Sequence, residues 1–296
     1  MLYVSGFNSE KALYAVTDTD DGKTTWLSKA DLYKAHEETV KVDCPIRGVE
    51  PDRVRVLKLK SKPSFQENMK KWIMKAKFHG IYDHFRFDND FTRLVSYDGS
   101  SSTIVVPPVK VIGPSCFAHD TLYDCEHKFV IPDSVEVISD GAFKRVWIAE
   151  GSTFNFQNVR VIDRIAFKWS KCKSRISLNL PSCVEVLEEA LAECEWLESV
   201  SFGDSLKVVD NSAFLRCKSL KHVDLGNTVE KIAKYAFGQC NSLYDVFVPE
   251  SVKTLGTKAF WVDMETLFDA KTPYSITFGG DVECEGCAEG RTEFRL

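Results

Sequence analysis

The chain has 296 residues, of which 44% are apolar and 27% are charged. This composition allows one large domain or two ordinary ones and is typical of soluble globular proteins. The net charge of -5 disfavours nucleic acid as the main partner, because phosphate binding requires a strongly basic surface. The sequence shows no basic leader with an apolar core, and no apolar run reaches the ~18 residues of a membrane helix. We therefore expect a cytoplasmic protein without membrane association.

Residues 1–98 show no repeat and predict a small α+β domain. Two β-prone runs, 12–16 and 24–27, flank an Asp-Gly pair, which favours a hairpin. A capping pattern that begins at Ser64 and leads into periodic apolar residues predicts a helix. A second hairpin is expected within 85–97. The domain is either independent or a cap for the region that follows, whose first apolar edge is otherwise exposed, and we favour a domain that does both.

A run of basic residues lies on an expected strand of this domain and on the helix after it. Such a run is usually a solvated face, although it also fits an acidic protein or a phosphate backbone. Nucleic acid is the less favoured of these two partners. The residues that would bind an anionic partner are Arg53, Arg55, Lys58, Lys60, Lys70 and Lys71.

From residue 103 to residue 268 the sequence repeats with a period of about 23 residues. The repeat is marked by Ala-Phe or Ala-Leu pairs, separated by 24, 24, 23, 23 and 23 residues, at Ala142-Phe143, Ala166-Phe167, Ala190-Leu191, Ala213-Phe214, Ala236-Phe237 and Ala259-Phe260. Cys116-Phe117 extends the series upstream and brings the count to about seven turns. Each unit predicts one strand and a return by a turn or short helix, and the units must stack to bury their apolar sides.

The pattern resembles the BspA-like class of leucine-rich repeats over a little more than half of the chain. The consensus of that class joins an aliphatic strand, a Pro-x-Ser-Val turn, an Ile-Gly pair and an Ala-Phe pair. Residues 243–260 follow it nearly throughout, and 131–135 match its Pro-x-Ser-Val turn. Extra residues depart from it within 117–129 and 147–156. The resemblance implies a curved solenoid that binds proteins, usually on a cell surface or during infection.

Four of the ten cysteines belong to the repeat. Cys194, Cys217 and Cys240 stand four residues after the alanine of their units, and Cys172 fits the same column after a two-residue insertion. A cysteine that recurs at one position of a stacked repeat indicates a buried, reduced thiol that acts as a small apolar residue.

Two other groups of cysteines resemble incomplete zinc sites. One of them contains, within twelve residues, Cys116, His119, Cys125 and His127. Its spacing matches no standard zinc finger, and Cys116 occupies the buried alanine column. The other, Cys284 with Cys287, lies in the C-terminal segment 269–296, for which we favour a capping turn with free thiols. We predict no metal and no cofactor. The alternating run 274–278 could add a terminal strand.

The outward positions of the repeat strands form the candidate binding surface, because a solenoid presents them as an extended concave sheet. Exposed aromatic residues often anchor interfaces, so Tyr244 and Phe247 are the expected anchors unless the C-terminal segment covers them. The surface comprises Ser177, Asn179, Ser199, Ser201, Lys221, His222, Asp224, Tyr244, Asp245 and Phe247.

None of the six histidines stands in a nucleophile, phosphate-loop or metalloprotease pattern, and we predict no catalytic residue. The sequence favours a non-enzymatic scaffold that binds another protein. Its narrower form is a bacterial or phage inhibitor or effector that acts on a host macromolecule and is delivered to, or made in, the host cell. The alternative is an N-terminal enzymatic or nucleic-acid-binding module that the repeats target. The sequence leaves the oligomeric state open.

Overall fold

A computed structural model describes, with side chains, residues 70–71, 73–74, 82–119, 122–123, 125–244, 246–262 and 276–280. It describes the backbone alone for 2–8, 13–18, 24–28, 40–41, 53–54, 245, 275 and 293–295. The chain divides into two compact units, Met1–His84 with Asn89–Thr92 and Phe85–Asp88 with Arg93–Leu296. Within the described residues, no helical segment has the length and hydrophobicity that a membrane span requires.

The first unit contains a three-stranded antiparallel sheet in the order β1-β2-β3, formed by β1 (Leu2–Asn8), β2 (Leu13–Asp18) and β3 (Thr24–Ser28). A separate antiparallel pair joins β4 (Val40–Lys41) to β5 (Arg53–Val54). Residues 70–71 and 73–74 are helical. The first predicted hairpin is confirmed by the β2-β3 pair. The rest of the α+β domain lies mainly outside the described residues, so the domain and its capping role stay predictions.

The second unit contains twenty further strands among the described residues. In chain order they are β6 (Phe85–Phe87), β7 (Arg93–Tyr97), β8 (Thr103–Val105), β9 (Val111–Ile112), β10 (Glu126–Ile131), β11 (Val137–Ile138), β12 (Trp147–Ile148), β13 (Thr153–Phe154), β14 (Val161–Ile162), β15 (Lys171–Cys172), β16 (Ile176–Leu180), β17 (Glu185–Val186), β18 (Leu197–Phe202), β19 (Val208–Val209), β20 (His222–Asp224), β21 (Lys231–Ile232), β22 (Asp245–Val248), β23 (Thr254–Leu255), β24 (Ser275–Phe278) and β25 (Glu293–Arg295).

One sheet is a ladder of short strands, one from each repeat, that continues into the β6-β7 hairpin, in the order β23-β21-β19-β17-β14-β11-β9-β7-β6. Pairing is parallel from β7 to β23, and the antiparallel β6-β7 pair confirms the second predicted hairpin. The ladder has seven two-residue strands, from Val111–Ile112 to Thr254–Leu255. Each of the seven predicted units thus has one ladder strand, and six complete turns lie between the first strand and the last.

The second strand of each turn belongs to a longer-stranded side of the solenoid. From β16 onward these strands form one parallel sheet in the order β16-β18-β20-β22-β24-β25. The pairing of β24 with β22 confirms the terminal strand expected within 274–278. The earlier strands form a separate sheet, β13-β10-β12-β15 with β8 beside β10. The longer-stranded side is thus interrupted between β15 and β16, whereas the short ladder is continuous.

Tight turns, not helices, return the chain from each short strand, and no helix forms anywhere in 125–262. The residue before the alanine of each pair has a positive φ at Gly141, Ile165, Glu189, Ser212, Tyr235 and Lys258. So does the residue three after the alanine, at Arg145, Trp169, Glu193, Arg216 and Gln239. Left-handed residues at such short spacing cannot continue a right-handed helix. Of the two returns predicted for each repeat, a turn or a short helix, the structure has the turn, with two left-handed corners.

The core is built from the alanine and phenylalanine columns, which are fully buried in each turn. The rings stack from turn to turn. Their centroids lie 4.9 Å apart between Phe143 and Phe167, 5.0 Å between Phe214 and Phe237, and 5.3 Å between Phe237 and Phe260. Face-to-face offset packing of buried rings adds to the free energy gained by removing them from water. Each turn therefore depends on both of its neighbours for its core.

We predict that Phe237→Ala lowers the free energy of unfolding by about 3–5 kcal/mol, because the cavity removes packing against both neighbouring rings. Phe247→Ala is a matched control, since Phe247 is 52% exposed and its truncation costs about 1 kcal/mol. Urea unfolding followed by circular dichroism measures both. Equal losses in the two variants would contradict the stacked core.

Candidate functional site

The predicted outward surface lies on the parallel sheet that begins at β16. Parallel register aligns Ser177 with Ser199 and then with His222, and His222 with Asp245. A second row, two residues along each strand, aligns Asn179 with Ser201 and then with Asp224. The residues between the rows point inward and are buried, as Leu178, Val200, Val223 and Val246 are. We call the ten predicted residues the outward strand face.

Neighbouring strands of the outward strand face are linked by polar contacts between aligned side chains. The Ser199 hydroxyl donates to Ser177 Oγ at 2.6 Å, and the Ser201 hydroxyl donates to Asn179 Oδ1 at 3.0 Å. Lys221 Nζ lies 2.8 Å from Glu198 Oε1, and this hydrogen bond lowers the pKa of the Glu198 carboxyl. The serine end of the face is therefore a flat polar surface whose groups are already paired across strands.

The two predicted aromatic anchors have different surroundings. Tyr244 is half-buried, its hydroxyl lies 2.5 Å from His222 Nε2, and the two rings meet nearly at right angles with centroids 4.8 Å apart. Phe247 is 52% exposed and stands opposite Thr277 of β24. A Cβ atom placed on Gly279 would lie 3.0 Å from Phe247 Cζ, so the glycine lets this ring lie against the C-terminal strand. Tyr244 thus braces His222, and Phe247 is the large apolar side chain that the face offers to solvent.

Comparison with known protein families finds a match to the repeat region. A sequence profile for the BspA type leucine rich repeat region matches residues 110–189 and 150–266 with six copies, a little over half of the chain. The chain belongs to the BspA-type leucine-rich repeat family. A comparison with curated proteins finds no match.

Solved structures of other leucine-rich repeat proteins are similar to this chain. A leucine rich cell surface protein from Faecalibacterium prausnitzii is 24% identical with a TM-score of 0.51, over 67% of this chain and 53% of that one. A leucine-rich repeat protein from Eubacterium ventriosum is 23% identical with a TM-score of 0.45, over 59% of this chain and 47% of that one. One from Bacteroides ovatus is 20% identical with a TM-score of 0.44, over 71% and 68%. The chain thus spans about half the length of the first two.

The cysteine column of these BspA-type repeats is buried, as predicted, and its thiols are hydrogen-bond donors. Cys194, Cys217 and Cys240 each donate to the carbonyl oxygen of the phenylalanine-column residue one turn before, at 3.2, 3.1 and 3.1 Å. Burial raises the pKa of the Cys194 thiol to about 12. The seven cysteines that the structure describes are all free.

Cys172 does not occupy this column, contrary to the prediction. Ser170 does: it is buried, stands four residues after Ala166, and its hydroxyl contacts Cys194 Sγ at 3.5 Å. The two-residue insertion follows this position instead of preceding it, so it displaces Cys172 onto β15 with partial exposure.

The group suggested as a partial zinc site does not converge on one point. Cys116 is buried in the alanine column, as predicted, while Cys125 is exposed and lies 3.2 Å from His127 Nε2. His127 Nδ1 lies 2.7 Å from the Ser101 carbonyl oxygen. Among the described side chains no three potential ligands form a metal site. Cys284 and Cys287 lie outside the described residues.

The basic stretch of the first unit is described only in part. Lys70 forms an ion pair with Asp90 at 3.3 Å, and Lys71 is exposed. Only the backbone of Arg53 is described, and Arg55, Lys58 and Lys60 lie outside the described residues. The anionic-partner hypothesis for this stretch therefore stays a prediction.

Sequence reasoning missed a groove of about 540 Å³ beside the insertion, lined in part by Trp147, Trp169 and Trp196. Trp196 is buried and its indole N–H donates to Ser170 Oγ at 3.0 Å, while Trp169 is 40% exposed. The signal that could have revealed the groove was the insertion itself, which the period shows, combined with the tryptophans on both sides of it.

The buried thiols make stability depend on pH. Because the folded pKa of Cys194 is about 12 and the unfolded thiol ionises near pH 9, only the unfolded state loses this proton between those values. The contribution of Cys194 to the free energy of unfolding is complete below pH 9 and falls as pH rises, by about 1 kcal/mol between pH 8 and 10. Urea titrations at both pH values should show a smaller fall in Cys194→Ala than in wild type. Cys125→Ala, at an exposed site, should keep the wild-type fall, and the same fall in all three proteins would refute the linkage.

Proposed function

We propose that this chain is a non-enzymatic protein-binding scaffold that engages its partner through the outward strand face. The observation that carries the proposal is the parallel alignment of outward side chains across consecutive turns, from Ser177 and Asn179 to the exposed Phe247.

The composition of this face suits a protein partner. Protein interfaces combine a buried aromatic or aliphatic anchor with a polar rim. Phe247 provides the anchor, and the paired serines, Asn179 and the Lys221-Glu198 ion pair provide a polar surround that is already ordered. Ordered side chains lose less conformational entropy when a partner binds.

In its narrower form, the proposal makes the chain a bacterial or phage inhibitor or effector, and its partner a host macromolecule. The support for contact with a host is indirect: the similar protein from Faecalibacterium prausnitzii is described as a cell surface protein. A cytoplasmic location, or delivery into a host cell, stays a prediction from the sequence. So does the alternative of an N-terminal enzymatic or nucleic-acid-binding module, because its residues lie largely outside those described.

The test is site-specific photocrosslinking in cells of the source organism or its host. A benzophenone amino acid at Phe247 or Asp224 should give a crosslinked adduct of one common partner, because both positions lie on the proposed contact surface. The same amino acid at Lys231 or Thr254, which are exposed on the short ladder, should give none.

Two results decide against the proposal. The first is an adduct of equal yield from the short-ladder positions, which would place the contact elsewhere. The second is unchanged capture of the identified partner by Phe247→Asp, since a carboxylate at a desolvated anchor should weaken binding at least tenfold. The thermal unfolding temperature of Phe247→Asp shows that the fold is kept.

A further inference from the structure

The groove beside the insertion lies where the longer-stranded side of the solenoid is interrupted. β15 pairs with β12, aligning Trp147 with Lys171 and Ile148 with Cys172. On its other side β15 pairs with none of the described strands, and pairing with the following turn begins only where Ile176 aligns with Leu197. The chain between Cys172 and Ile176 leaves the sheet, so a gap of about 540 Å³ opens against the next turn.

Indole rings form much of this groove. Trp169 stands three residues after its alanine, at one of the left-handed corners. The equivalent corners of the other turns carry Arg145, Glu193, Arg216 and Gln239, all of which are polar. A 40% exposed indole at such a corner is therefore a departure from the repeat. Lys144 Nζ and Lys168 Nζ lie over its ring at 5.4 and 4.6 Å, and the residue lines the groove.

The carboxylates that line the groove are already paired. Glu126 lies 2.5 Å from Lys173 Nζ, Glu195 lies 3.0 Å from Lys218 Nζ, and Glu193 lies 3.9 Å from Arg216 Nη1. Pairing cancels much of the negative potential that these side chains would otherwise direct into the groove.

The cations at the groove are paired less completely. Lys171 Nζ lies over the Trp147 ring at 5.2 Å, and Arg175 donates to the Glu195 carbonyl oxygen. Within the described part of the chain neither Lys171 nor Arg175 has a carboxylate at ion-pair distance. An ammonium over an exposed ring gains only about 0.5–1 kcal/mol, so these cations remain available to an incoming carboxylate.

We propose that this groove binds an extended acidic peptide segment, with carboxylates at Lys171 and Arg175 and an apolar side chain against Trp169. Charge complementarity carries the choice of ligand, because the unpaired charges at the groove are positive and the exposed wall is aromatic. A nucleic acid fits less well, because phosphate binding needs a larger basic surface than Lys171 and Arg175, the unpaired cations of the described lining, provide. The site lies outside the outward strand face and does not rest on the function proposed for it.

The experiment measures the fluorescence anisotropy of a fluorescein-labelled hexapeptide of alternating glutamate and leucine, titrated with the full chain. We expect saturable binding that weakens as salt is raised. A lysine-leucine peptide and a labelled oligothymidine of similar length should bind at least tenfold more weakly. Absence of saturable binding by the acidic peptide, or tighter binding of the oligothymidine, overturns the proposal.

Matched variants locate the site. Lys171→Glu should weaken binding about fivefold or more, because one attraction is replaced by a repulsion. Lys234→Glu is the control: Lys234 is also exposed, with Nζ over the Tyr235 ring at 5.3 Å and no carboxylate at ion-pair distance among the described side chains, and its affinity should equal that of wild type. Equal weakening in both variants would mean non-specific charge attraction and would overturn the proposal.

Two further variants separate this groove from the outward strand face. Trp169→Ala should weaken peptide binding, and Phe247→Asp should leave it unchanged. The thermal unfolding temperature of each variant shows whether the fold is kept. Peptide binding that is lost in Phe247→Asp but kept in folded Trp169→Ala would assign the peptide to the outward strand face and refute the groove.

Discussion

The N–H of each residue in the phenylalanine column donates to the carbonyl oxygen of the alanine one turn further on, at 2.7 Å from Phe143 to Ala166 and from Phe237 to Ala259. The left-handed corners on both sides do the same: Ile165 donates to Glu188, and Trp169 to Ala192. Alternate N–H groups of the corner thus point along the solenoid, and buried backbone groups that water cannot reach are satisfied by the next turn. This bonding sets the distance between turns. The aromatic column then fits, because rings stacked 4.9–5.3 Å apart nearly match the spacing of paired strands.

The same constraint divides the residues of a turn into fixed and free positions. The alanine column is restricted to small side chains, alanine or Cys116, since the position is buried in every turn. The thiol position accepts either Cys194 or Ser170, because both side chains are small and polar: Cys194 Sγ donates to the Phe167 carbonyl oxygen, and Ser170 Oγ contacts Cys194 Sγ. The described outward side chains on β16 to β22 lie at the surface, outside the buried columns. Their chemistry is therefore free to suit a partner without cost to the core, which is why the candidate surface lies there.

The sequence predicted the parts of this fold in which residue type and position are coupled. The Ala-Phe period identified the buried columns, and the alternation around Val200 identified which side chains point outward. The sequence could not predict the left-handed corners. Ile165, Glu189 and Trp169 have a positive φ there, a conformation that sequence patterns assign to glycine or asparagine. The hydrogen bonds to the next turn impose it. The bracing of His222 by Tyr244 was likewise out of reach, since it depends on the parallel alignment of two turns.

The insertion after Ser170 shows where such a stack can change. The short ladder passes the insertion without interruption, with Val161 aligned to Glu185 and Ile162 to Val186. Continuity on that side holds the turns in register, so the extra residues are accommodated entirely on the longer-stranded side. There they separate β15 from the following turn, and Trp196 donates its indole hydrogen to Ser170 beneath the gap. The core therefore stays closed while the surface opens. A repeat held by one continuous ladder can gain a groove at the other strand without losing the packing that stabilises it.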